Sequence, residues 1–101
     1  MILDFSGEVI EWRGPAPLVF ASVPADLSSD IMAISPHVSY GWGCIPVVAQ
    51  IGDTKYKTSL FPKNGVYMVP VKLMVQRAEC VAVGDHVTVR LEIFSGFESP
   101  S

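Results

Sequence analysis

Two adjacent hydroxyls, Thr58 and Ser59, and two cations, Lys72 and Arg77, are the side chains best suited to hold an anion. Hydroxyl, ammonium and guanidinium groups all donate hydrogen bonds to phosphate or carboxylate oxygens, and the charged donors bind them most strongly. Upstream stands Tyr40-Gly41-Trp42-Gly43, where a glycine-flanked indole offers a flat face to a ring. Tyr40, Trp42, Thr58, Ser59, Lys72 and Arg77 are therefore expected to form one binding site for a small anionic or aromatic ligand. Taken singly, each also fits an ordinary place: the hydroxyls at a strand end, Trp42 closing a barrel end, Lys72 in solvent.

Catalysis is poorly supplied. Ser59 or Cys44 as a nucleophile would need a base oriented by a third group, and His37, between Pro36 and Val38, has no carboxylate neighbour in the sequence. His86 follows Gly84-Asp85 at a strand start and reads as a surface residue. Glu8 and Glu11 fall on opposite faces of one strand, while Asp26 and Asp30 lie one helical turn apart as a solvated stripe. No catalytic residue is assigned. Cys44 and Cys80 are far apart and form no Cys-x-x-Cys pair, so both read as reduced thiols acting as small apolar residues. With His37 and His86 isolated from other ligand types, no metal and no cofactor is implied.

Composition narrows the function classes further. The chain has 101 residues, room for one core and one domain. Its net charge is −3, and Arg13, Lys55, Lys57, Lys63, Lys72, Arg77 and Arg90 are scattered among more numerous acids, which argues against a nucleic-acid partner. Half of the residues are apolar, yet no run approaches the ~18 that a membrane helix needs. Met1-Ile2-Leu3-Asp4-Phe5 has neither the basic region nor the apolar stretch of a secretory signal, so a cytoplasmic setting is expected.

The elements that must position these residues are mostly strands. Residues 2–12 alternate, with Leu3, Phe5, Gly7 and Val9 on one face. A strand at 18–23 follows the turn-rich Arg13–Pro17, and apolar residues at 27, 31 and 34 predict a short helix closed by Pro36. Residues 45–51 and 54–61 read as a hairpin around Gly52-Asp53, and Lys63-Asn64-Gly65 turns the chain into a strand at 66–69. A second short helix is expected at 71–78, with Val71, Met74, Val75 and Ala78 on its buried face, before a last strand at 86–94. One phrase occurs twice: Phe20-Ala21-Ser22-Val23-Pro24-Ala25-Asp26-Leu27 returns 46 residues later as Val66-Tyr67-Met68-Val69-Pro70-Val71-Lys72-Leu73. The pattern predicts an all-β fold: a small closed or double-split β-barrel of two pseudo-repeated halves related by a two-fold axis, capped by one or two short helices. Its core should include Phe5, Val9, Phe20, Val47, Ile51, Leu60, Val87, Val89 and Leu91.

Gly41-Trp42-Gly43, Thr58-Ser59-Leu60-Phe61-Pro62, Tyr67-Met68-Val69-Pro70-Val71-Lys72 and Gly84-Asp85-His86-Val87 occur in this order along the chain. Together they resemble the bacterial DUF1905 domains of unknown function, over about residues 3 to 94. The resemblance implies a double-split β-barrel, distantly related to the swapped-hairpin barrels of transition-state regulators and antitoxins, and it implies no activity. Two departures stand out. Relatives usually carry Val-Arg-Lys-Ala where this chain has Val75-Gln76-Arg77-Ala78, and Trp-Arg or Trp-Lys where it has Tyr56-Lys57. If the family site is a basic pocket, it is weakened here.

The expectation is thus a barrel domain over residues 1–95 with a flexible tail at 96–101, monomeric or weakly homodimeric, acting as a binding or interaction module. A nucleic-acid-binding regulator or antitoxin-like barrel is the alternative, and a small enzyme using the barrel mouth is the second.

Overall fold

The computed structural model describes residues 2–12, 18–38 (side chains as far as 34) and 44–93. Six strands and two helices follow one another: β1 (Ile2–Trp12), β2 (Leu18–Ser22), α1 (Ala25–Val38), β3 (Ile45–Ile51), β4 (Thr54–Lys63), β5 (Val66–Pro70), α2 (Leu73–Ala78) and β6 (His86–Ile93). The strands close into a barrel in the order β1-β2-β5-β4-β3-β6, every pairing antiparallel. β1 and β4 each pass from one partner to another along their length, β1 pairing with β6 over Ile2–Glu8 and with β2 over Val9–Trp12.

Period-two patterning decides which side chains fill the barrel. Along β3, Ile45, Val47, Ala49 and Ile51 are buried while the residues between them are half-exposed, and β6 does the same with Val89, Leu91 and Ile93. Eight of the nine expected core residues are buried; Val87 is half-buried and packs on the core's margin. Phe20 meets Phe61 edge-on at 4.9 Å between ring centroids. Ser28 is the one buried polar side chain among the described residues. Its hydroxyl donates to the Val23 carbonyl at 3.2 Å and accepts from the Tyr67 amide at 3.0 Å, which ties α1 to β2 and β5.

The two-fold relation appears in the register. Laying β2 on β5 with the repeat's offset carries Ser22 onto Met68, and those two residues pair with each other. Laying β3 on β6 carries Ala49 onto Leu91, which also pair. The same operation takes β1 to β4, so that Leu3–Leu91 becomes Tyr56–Ala49 and Val9–Ala21 becomes Pro62–Tyr67, both observed pairs. Each half is a hairpin, a helix and a strand, and a pseudo-two-fold axis passes through the Ser22–Met68 and Ala49–Leu91 pairs.

Several boundaries differ from expectation. α1 continues past Pro36 to Val38: a proline's fixed φ is compatible with a helix, so the last turn finishes beyond it even though its own amide hydrogen bond is lost and its ring crowds the carbonyl four residues back. β4 runs on to Lys63 and β5 to Pro70, which pairs with Phe20. α2 starts at Leu73 instead of residue 71. Only Val75 of it is buried: Met74 is 58% exposed and Ala78 is also exposed, since the six-residue helix lies on the barrel along one line of contact. Cys80 does not act as a small apolar residue. It is exposed at φ 54, the left-handed position after α2, where the Val81 amide reaches back to the Gln76 carbonyl at 2.9 Å.

Candidate functional site

Where β2 begins and β5 ends, the chain builds a groove of about 390 Å³ lined by Leu18, Val19, Pro70, Val71, Lys72, Leu73 and Gln76. Pro70 closes β5, and Val71 donates to the Val19 carbonyl at 2.9 Å, extending the strand pairing one step beyond the proline. Lys72 is extended at φ −64, ψ 152, and its carbonyl accepts from the amides of Val75 and Gln76, so α2 starts directly after it. This turn sets the lysine at the surface while Val71 beside it is buried. The Gln76 side-chain amide donates to the Val71 carbonyl at 2.9 Å. Gln76 therefore secures the groove's own backbone through the N–H of its side-chain amide. The result is an apolar floor with one ammonium group at the rim.

A second hollow, about 360 Å³, lies on the outer face among Asp4, Gln50, Gly52, Thr88 and Arg90. Its cation is already engaged: Arg90 Nε donates to Asp4 Oδ1 at 2.9 Å, and Nη2 approaches Oδ2 at 3.5 Å. An anion entering here would compete with a carboxylate in place. The apolar groove at Lys72 makes no such demand.

The residues expected to form one site are distributed as follows. Tyr40 and Trp42 lie outside the described residues. Thr58 pairs with Val47, which is buried, and so faces the inner side of β4; Ser59 pairs with Pro46 and leaves by the outer side. Both hydroxyl residues are half-buried, and neither lines the two hollows described. Lys72 lines the groove, whereas Arg77, exposed in the last turn of α2, is absent from that lining.

Other contacts were not expected from sequence. Tyr56 pairs with Ala49, its ring buried, and its hydroxyl donates to the Pro70 carbonyl at 2.8 Å, so β4 supports the strand end from which the groove departs. Burial pushes the Tyr56 phenol well above its ordinary range. At the far end of α2, Thr54 Oγ1 donates to Glu79 Oε2 at 2.6 Å, pinning the helix end to the β3–β4 turn. Lys63 Nζ sits 4.4 Å over the Trp12 ring. A helical residue four places from Lys72 and a tyrosine at an inward strand position were the only signals for Gln76 and Tyr56. Their partners, Val71 and Pro70, could not be read from spacing.

Among the described residues no three His, Cys, Asp or Glu side chains converge as metal ligands, and no described helix is long and apolar enough to cross a membrane. His86 is exposed and pairs with Glu8 across β1 and β6. Residues 5–91 match the family described as a domain of unknown function, DUF1905. The chain belongs to this family. No curated protein matches it. The DUF1905 barrel of this chain thus carries a defined groove, and its family supplies no activity to place there.

Proposed function

We propose that this DUF1905 domain is a binding module for a small anionic ligand with an aromatic or aliphatic body, seated in the groove between β2 and α2. The observation that carries this reading is the pairing of an apolar floor (Leu18, Val19, Val71, Leu73) with an exposed Lys72 ammonium at its rim. An apolar cavity with a few placed polar groups is the usual form of a small-molecule site. Lys72 supplies charge, the floor supplies contact area, and Gln76 holds the Val71 backbone in place. Arg77 adds positive potential from the same helix. Tyr40, Trp42, Thr58 and Ser59 belong to the reading as further contacts for a larger ligand. A cytoplasmic setting suits the two free thiols, one of them exposed. The nucleic-acid alternative gains little, because Lys63 lies over Trp12 and Arg90 is paired with Asp4.

Titration with benzoate, aromatic carboxylates of increasing size and phenyl phosphate, followed by amide NMR shifts, tests the proposal. Shifts should concentrate at Val19, Val71, Lys72 and Gln76. Lys72→Ala should weaken binding about tenfold, the loss of one charge-assisted hydrogen bond. Shifts centred on other residues, or an affinity unchanged by Lys72→Ala, would falsify the site.

A further inference from the structure

The register makes the two halves of the barrel exchangeable between chains. Of the six strand pairings, only β1–β2 and β4–β5 lie within a half; β1–β6, β2–β5, β3–β4 and β3–β6 all run between halves. Each half therefore owns one hairpin and leaves its last strand, β3 or β6, without a partner of its own. A single two-residue turn, Gly52-Asp53, joins the halves. That turn is closed under constraint: Gly52 has φ +59, and a Cβ there would run into the Glu79 carboxylate that Thr54 holds.

We propose that two copies of this chain exchange halves by opening the Gly52-Asp53 turn. The product is a two-fold dimer of two barrels, each made from residues 2–51 of one copy and 54–93 of the other. Every between-half pairing is kept in this dimer, now formed between chains, and only the turn itself changes conformation. The closed monomer is favoured by the left-handed glycine and by the entropy of association. A β-branched residue at 52 removes the first advantage, because it disfavours positive φ and suits the extended hinge. This exchange is independent of the groove at Lys72, which lies between β2 and the β5–α2 segment and is rebuilt intact in each exchanged barrel.

The test uses the full-length chain carrying Gly52→Val, unfolded in urea, refolded at high concentration and measured by size exclusion with light scattering. The expected result is twice the mass of the chain, a strand-rich spectrum like that of the wild type, and reversion to monomer no faster than global unfolding. A folded, purely monomeric Gly52→Val overturns the proposal. Should Gly52→Val fail to fold, two other full-length variants decide: Ile45→Asp, which breaks the first half, and Leu91→Asp, which breaks the second. Refolded together, they can build one sound barrel from the intact half of each, so the mixture should regain a cooperative urea transition that neither shows alone. A mixture no more folded than its separate components overturns it.

Discussion

Tyr56 shows how much one side chain does at the residue scale. Its ring fills the inner face of β4 while its hydroxyl donates to the Pro70 carbonyl, the last residue before the groove. The folded state holds the phenol protonated above its ordinary value of 10.0, whereas in the unfolded chain it titrates there. Below about pH 10 both states keep the proton and the contribution is fully present; above it the unfolded state sheds the proton first. Stability should therefore fall as pH rises past about 10. Tyr56→Phe should cost about 0.5–1.5 kcal/mol at neutral pH by stranding the carbonyl, and should flatten that alkaline decline. Urea unfolding of both proteins from pH 8 to 11 checks this, and equal slopes would reject the assignment. Leu60, wholly buried opposite Ile45, has no such polar duty. Leu60→Ala should cost about 2–5 kcal/mol through lost burial and the cavity left behind, and a urea shift of only a few tenths would contradict its inward position.

At the scale of elements, Gly7 marks a close approach of β1 to the chain beside it. It is buried opposite Val87, and a Cβ there would stand 2.6 Å from the Ser22 carbonyl oxygen and 3.2 Å from the Phe5 ring. The first obstacle is backbone, which cannot swing aside as a side-chain end can. Gly7→Ala should accordingly destabilise by about 1–3 kcal/mol despite adding one methyl to an interior. Thermal unfolding is the measurement, and an unchanged midpoint would mean that β1 shifts freely on β2. Strand phase was legible in the sequence: the alternation at 45–51 and 87–93 and the turns at Gly52-Asp53 and Asn64-Gly65 all have local chemical causes. The opposite faces taken by Thr58 and Ser59 were legible too, since neighbours on a strand must diverge. What sequence withheld was tertiary. The exposure of Met74, the Gln76 bond to Val71 and the Glu79 bond to Thr54 depend on how α2 rests on the barrel, and helical spacing does not specify which line of a short helix touches the sheet.

For the whole molecule, the repeated Val-Pro phrase was the most productive signal, because a two-fold barrel needs its halves to agree in register and not in composition. Ala21 pairs with Val69 and Ala49 with Leu91, so small residues from one half meet larger ones from the other. The halves have become complementary while keeping one backbone plan. This carries a consequence for stability. Neither half holds its own last strand, so a half cannot remain folded once the other has gone, and sub-global opening that spares one half should be scarce. Urea unfolding should show one transition by fluorescence and by far-ultraviolet dichroism alike. The sharper check is native-state hydrogen exchange on Leu91→Ala. The change lies in β6, in the second half, yet the slowest amides of β2 and β3 should lose protection by the same factor as those of β5 and β6. Protection kept in the first half while the second loses it would mean that the halves are separate folding units, and the register symmetry would then describe geometry without governing how the barrel comes apart.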